Sequence, residues 1–232
     1  MKLAAYQAVT LVDFPGHIAC TVFTVGCNFR CKFCYNIRLV VPGAEHEVLE
    51  QERFFDFLRS RVGKLDGVCV SGGEPTLHED LPAFLRRIKG IGFAVKLDTN
   101  GTNPAMLAEV TDSGLVDYVA MDVKAPWEKY DVITQSTGFA SLVKESLEIL
   151  KHRAIPFEVR TTLHPDLLSE EDVVKIARSI DWAPCYSLQN YIPAETIDPV
   201  LSNSVGFTRS EMEHMKCAVQ AVTSARIYVK NV

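Results

Sequence analysis

Residues 67 to 101 read GVCVSGGEPTLHEDLPAFLRRIKGIGFAVKLDTNG. The apolar run GVCVS at 67–71 and FAVKLDT at 93–99 are short and β-branched, as strands are. Between them HEDLPAFLRRIKG, at 78–90, spaces its apolar residues at helical intervals and is expected to stop at Gly90. A strand, a helix of about a dozen residues and a second strand with short connections describe parallel neighbours joined by a crossover.

The same unit recurs in both directions. Upstream stands HIACTVFTV (17–25); downstream stand YVAMDV (118–123), FEVRTTL (157–163), CYSLQNY (185–191) and ARIYV (225–229). Helical patterns alternate with them over 48–62, 103–114, 139–153, 168–180 and 208–222. Ser169, followed by Glu170 and Glu171, is a good cap, and Gly114 a good stop. Both an open doubly wound sheet and a barrel satisfy this order. With only six or seven units where a closed barrel has eight, the expectation is an α/β protein built as an incomplete (β/α)6-type TIM barrel of parallel strands. The whole chain, 1–232, is expected to form a single domain: an N-terminal extension (1–16), a core barrel (17–200) and a C-terminal helix and strand (201–232).

Composition narrows the function classes. The 232 residues are 47% hydrophobic, with a net charge of −5 and a pI near 5.7. No basic surface is advertised, so nucleic acid is not an expected partner. Asp13 and Pro15 interrupt any signal-peptide pattern, and no apolar run reaches 18 residues, so neither export nor membrane insertion is expected and the cytoplasm is the predicted location. Seven cysteines without a secretory signal point away from a disulfide framework.

Three of those cysteines fall within eight residues: Gly26-Cys27-Asn28-Phe29-Arg30-Cys31-Lys32-Phe33-Cys34-Tyr35-Asn36. Spacings of four and three let one loop wrap its sulfurs around a small inorganic body. Cysteine thiolates hold iron–sulfur clusters, and a four-iron cubane normally takes four of them. If only three are supplied, one iron keeps an open position for substrate, by analogy with open catalytic metal sites. A zinc site completed by a ligand such as His17 and three inert core thiols are the competing readings of the triplet. Other polar residues gather where the strands stop: SGGEPT after 67–71, DTNG after 93–99 and DVK after 118–123. Ligands in such folds bind at the carboxyl ends of the strands. Each has a plain reading too: a strand-to-helix turn, an Asn-Gly turn and a surface ion pair. Arg160, inside an apolar strand, needs either a core carboxylate such as Glu158 or Asp122, or an anionic ligand.

CxxxCxxC with an aromatic residue before the third cysteine resembles the signature of the radical S-adenosylmethionine superfamily. The run LVDFPGHIACTVFTVGCNFRCKFCYN, with SGGEPT, VKLDTNGTNP, VDYVAMDVKAP and VKESLEIL, is similar to the glycyl-radical-enzyme activases that serve anaerobic ribonucleoside-triphosphate reductase. The resemblance implies one 4Fe-4S cluster on Cys27, Cys31 and Cys34, whose free iron chelates S-adenosylmethionine so that one electron yields a 5′-deoxyadenosyl radical. It implies that Phe33 lies against the adenine, that Gly72, Gly73 and Glu74 receive the methionine amino group, and that Asp98, Asp122 and Lys124 face the ribose, the carboxylate or a monovalent cation, while Arg160 on its own strand position is the candidate for an anionic cofactor group. Tyr35 departs from the histidine common in such activases. The implied partners are a glycyl radical enzyme, anaerobic ribonucleotide reductase, as protein substrate and a flavodoxin- or ferredoxin-type electron donor. The alternative within the superfamily is an enzyme acting on a small molecule in its own barrel.

Overall fold

The computed structural model describes residues 1–41 and 48–231. Along the chain run β1 (Leu3–Thr10), β2 (Ala19–Thr24), α1 (Ile37–Val40), α2 (Gln51–Arg59), β3 (Gly67–Gly72), α3 (Leu81–Ile91), β4 (Ala94–Thr99), α4 (Pro104–Asp112), β5 (Tyr118–Asp122), α5 (Tyr130–Thr134), α6 (Ala140–Lys151), β6 (Phe157–Leu163), α7 (Glu170–Ser179), β7 (Cys185–Asn190), α8 (Arg209–Gln220) and β8 (Arg226–Lys230). The strands form one sheet in sequence order. From β2 to β8 every neighbouring pair is parallel. Among the described residues β1 and β8 do not pair, so the barrel is incomplete, as its unit count predicts.

The first strand was not foreseen. β1 runs antiparallel to β2 inside the segment read as an extension. Only Leu3 and Thr10, at its two ends, are buried, so it lacks the alternation that betrays a half-buried strand. Backbone pairing to β2 holds it.

Strand register sorts the side chains. Val68, Val70, Val95, Leu97, Val119, Met121, Val159 and Leu188 are fully buried on the apolar side of the sheet. The alternate positions are polar and adjacent across strands: Cys69 is level with Lys96, and Asp122 with Arg160. Period-2 alternation thus gives the sheet an apolar face and a polar lumen.

The helices follow their sequence patterns, with one correction. α3 continues through Gly90 to Ile91 and stops at Gly92, whose φ of 107° only glycine adopts without cost. Gly114 (φ 62°) does follow α4. Ser169 caps α7 in a reciprocal box with Asp172. At the amino ends of the strands Phe14, 2% exposed, stacks on His17 with ring centroids 4.1 Å apart. A Cβ on Gly67 would lie 2.9 Å from the Phe14 ring, so this aromatic closes the floor of the lumen. No helix among the described residues is long and apolar enough to cross a membrane.

Candidate active site

Where β2 ends, Gly26 turns the chain with φ 98° into the cysteine loop. The loop makes few bonds to itself and many to distant segments. The Arg30 and Lys32 N–H groups donate to Thr134 (2.9 Å) and Ile133 (3.1 Å) of α5. The Lys32 and Cys34 carbonyls accept from Asp198 (3.0 Å) and Ile197 (3.1 Å). Phe29, 2% exposed, meets Tyr130 and Phe139 edge-on and pins the loop into the core. A loop tied this way presents its side chains at fixed positions.

Cys27, Cys31 and Cys34 line one cavity of about 390 Å³. Phe33, Tyr35, Gly72, Gly73, Glu74, Asp98, Asp122, Lys124 and Arg160 line it as well, so the residues expected to hold the cluster and its cofactor meet one space. Burial pushes the Cys27 thiol up to about 11 and Cys31 up to about 12, and raises Cys34. His17 lies at the other end of β2, roughly 20 Å away for six residues of strand. It cannot complete a zinc site with these sulfurs. Among the described residues no three His, Cys, Asp or Glu side chains are placed to grip a single ion. Thiolates around a cubane bind separate irons and need no common point, so three soft sulfurs facing one cavity fit an iron–sulfur body.

The paired glycines have a packing reason. A Cβ on Gly73 would overlap the carbonyl of Gly26, and one on Gly72, where φ is 119°, would overlap the backbone of Thr24. The same approach lets Gly73 N–H reach Thr24 O (2.9 Å) and Glu74 N–H reach Gly26 O (2.7 Å), joining the GGE turn to the start of the cysteine loop. Gly73→Ala is expected to cost at least the roughly 1–3 kcal/mol typical of overpacking. The measurement is the urea midpoint; an unchanged midpoint would show that the two backbones can separate freely.

Glu74 is 1% exposed, and burial raises its pKa against the pull of its hydrogen bonds. Oε1 accepts from Thr76 N (3.0 Å), Thr76 Oγ1 (2.5 Å) and Thr99 Oγ1 (2.7 Å), and among the described residues Oε2 accepts only from Asn100 N (2.6 Å). Oε2 therefore keeps acceptor capacity for a cation.

Deeper in the lumen Arg160 joins two aspartates. Its Nε donates to Asp122 Oδ1 (2.8 Å) and its Nη1 to Asp98 Oδ2 (3.1 Å). Asp98 also pairs with Lys96 and accepts from Ser71 Oγ (3.1 Å), while Asp122 accepts from Lys124 Nζ (2.9 Å). Burial pushes both carboxyls up, but Arg160 and the neighbouring lysines outweigh it and hold them below the usual carboxylate range. Lys124 and Arg160 thus bring cationic donors into a cavity that Asp13, Glu74, Asp98 and Asp122 also line, and an anionic group seated there would find charged donors already in place. Lys124 also stands 5.9 Å from the centre of the Phe33 ring. Phe33 is buried at 7% exposure, whereas Tyr35 is 63% exposed at the rim.

Several participants escaped the sequence reading. Lys96 stood between Val95 and Leu97 as a buried charge needing a partner, a signal that was legible. Asn28, Asn100 and Thr102 gave no such signal, because polar loop residues are common.

The radical SAM superfamily model matches residues 21–180 of the chain. A Methanocaldococcus jannaschii protein provisionally named a glycyl-radical enzyme activating enzyme is 32% identical over 196 residues, covering 82% of this chain and 80% of that one. The pyruvate formate-lyase-activating enzyme of Listeria monocytogenes is 26% identical over 208 residues, covering 84% and 82% respectively. The crystal structure of Streptococcus suis SuiB bound to S-adenosylmethionine superposes with a TM-score of 0.67 at 12% identity, covering 91% of this chain and 52% of that chain. That last likeness concerns the fold, and the chain spans about half of that structure's length.

Proposed function

The chain belongs to the radical SAM superfamily, and on that premise we propose that it activates a glycyl radical enzyme, anaerobic ribonucleoside-triphosphate reductase, by removing hydrogen from one glycine of that partner. When bound, the family's 4Fe-4S cluster and S-adenosylmethionine supply a 5′-deoxyadenosyl radical, after one electron from a flavodoxin- or ferredoxin-type donor. Cys27, Cys31 and Cys34 hold the cluster and leave one iron open. Glu74 Oε2, with the Gly72–Gly73 backbone beside it, takes the cofactor's ammonium. Lys124 and Arg160 take its carboxylate as charged hydrogen-bond donors. Phe33 backs the adenine, and Tyr35 stands at the rim of the same cavity. Asp98 and Asp122 orient Arg160 between them, and a monovalent cation would compete with it for the same oxygens.

One observation carries the choice of a protein substrate. Toward the open side of the barrel the cavity is lined by Gln7 of β1, Gln189 and Asn190 of β7 and Asn231 after β8, all neutral carboxamides. Such groups match the donors and acceptors of a peptide backbone and add no charge of the kind a phosphate or carboxylate substrate would call for. The cavity also lies at the small end of the roughly 300–1,000 Å³ usual for ligand sites. Filled by cofactor, it leaves a second molecule to come through the gap between β1 and β8, which a glycine-bearing loop can do. This favours the activase over a small-molecule enzyme.

The experiment is anaerobic reconstitution, followed by reductant and S-adenosylmethionine with and without the reductase. The expected result is 5′-deoxyadenosine together with a glycyl EPR signal on the reductase. A signal on pyruvate formate-lyase alone would move the partner, in line with the Listeria relative. Turnover coupled only to a small metabolite would overturn the reading.

A further inference from the structure

Asn100, 5% exposed, lies in the turn after β4 and touches both halves of the proposed site. Its backbone N–H donates to Glu74 Oε2 at 2.6 Å. Its side-chain Nδ2 donates to Asn28 Oδ1 at 2.9 Å and lies 3.9 Å from Cys27 Sγ, within range of an N–H···S bond. Its Oδ1 accepts from Thr102 N (3.0 Å) and Thr102 Oγ1 (2.7 Å). Asn28, between the first two cysteines, closes the ring by donating its Nδ2 to Thr102 Oγ1 at 2.8 Å. The cycle Asn100–Asn28–Thr102 fixes which way the Asn100 carboxamide faces: the oxygen is claimed by two donors, so the NH2 must point at the cysteine loop.

We propose that Asn100 is a positioning residue that sets the reduction potential of the iron–sulfur cluster through its Nδ2–H on Cys27 Sγ, an assignment that rests on the proposed cluster loop. Cys27 Sγ receives a second N–H from the Phe29 backbone at 3.4 Å. Hydrogen bonds to ligand sulfur stabilise negative charge there and tune the potential of the metal they serve. The reduced cluster carries one more electron, so such a bond favours reduction, and its loss makes the cluster harder to reduce. The backbone bond to Phe29 survives any substitution at 100. Only the side-chain bond is open to change, which makes Asn100 the adjustable member of the pair.

The test is an EPR-monitored redox titration of the reconstituted full chain without S-adenosylmethionine. Asn100→Leu removes the carboxamide and its Nδ2 donor without adding charge, and Asn100→Ala does the same at smaller volume. Both are expected to lower the ratio of reduced to oxidised cluster at the wild-type midpoint about tenfold, which for one electron is about 59 mV. Asn28→Ala frees Nδ2 without removing it and is expected not to lower the midpoint. If Asn100→Leu takes up no iron, Asn100→Ala gives the reading. A wild-type midpoint in the loaded Asn100 variants, or an equal fall in Asn28→Ala, overturns the assignment. A wild-type chain that reconstitutes no cluster instead overturns the reading on which it rests.

Discussion

Cys31→Ser is expected to abolish cluster assembly, and with it all 5′-deoxyadenosine formation. Cys31 is the most buried of the three loop cysteines, at 6% exposure, and stands between the other two in a loop whose backbone is tied to α5. Serine keeps the shape but replaces a soft sulfur by a hard oxygen, a poor match for iron–sulfur chemistry. Loss of an outer partner already costs a metal site roughly 10–100-fold, and loss of a direct ligand should exceed that. Cys217, exposed on α8, is the control: Cys217→Ser should load normally. Iron and sulfide content after anaerobic reconstitution decide the matter. Full loading of Cys31→Ser would remove Cys31 from the ligand set.

The second large effect is on stability. Arg160→Leu leaves Asp98 and Asp122 with one lysine each and without the guanidinium that joins them. Breaking a buried pair from one side costs about 3–5 kcal/mol when the charge left behind has no partner, and because Lys96 and Lys124 remain the lower end of that range is expected here. For a chain of this size the whole range corresponds to a fall in Tm of roughly 6–20 °C. The effect must depend on pH with a definite sign. Both carboxyls are held below their unfolded value near 3.9, so the stabilisation they provide is complete above about pH 4 and is lost as the pH falls further. The gap between wild type and variant should therefore be widest near neutrality and narrow below about pH 4. Urea midpoints at pH 7 and pH 3 measure it, and a gap that stays constant would mean that Arg160 stabilises by packing alone.

Much of this site was legible because it is local. CxxxCxxC places three sulfurs in one loop whatever surrounds it, and GGE follows a strand that any apolar run of β-branched residues would form. Arg160 announced itself by standing in an apolar strand, where a charge needs a partner, and Asp122 was among the carboxylates foreseen for it. The second carboxylate, Asp98, was not, because that pairing crosses from β6 to β4 and depends on how the lumen curves.

By itself, then, the sequence determined the alternation of strand and helix, the parallel order of β2 to β8 and the end of the barrel at which the chemistry gathers. These follow from periodicity and from the crossover rule, which act over a few tens of residues. Only the tertiary structure decided that β1 joins the sheet, that β1 thereby forms one side of the opening that the unit count foretold, and that Asn28, Asn100 and Thr102 close a ring beside Cys27. Each of these rests on hydrogen bonds between segments distant in the chain, and a polar residue's partner across such a distance leaves no periodic trace.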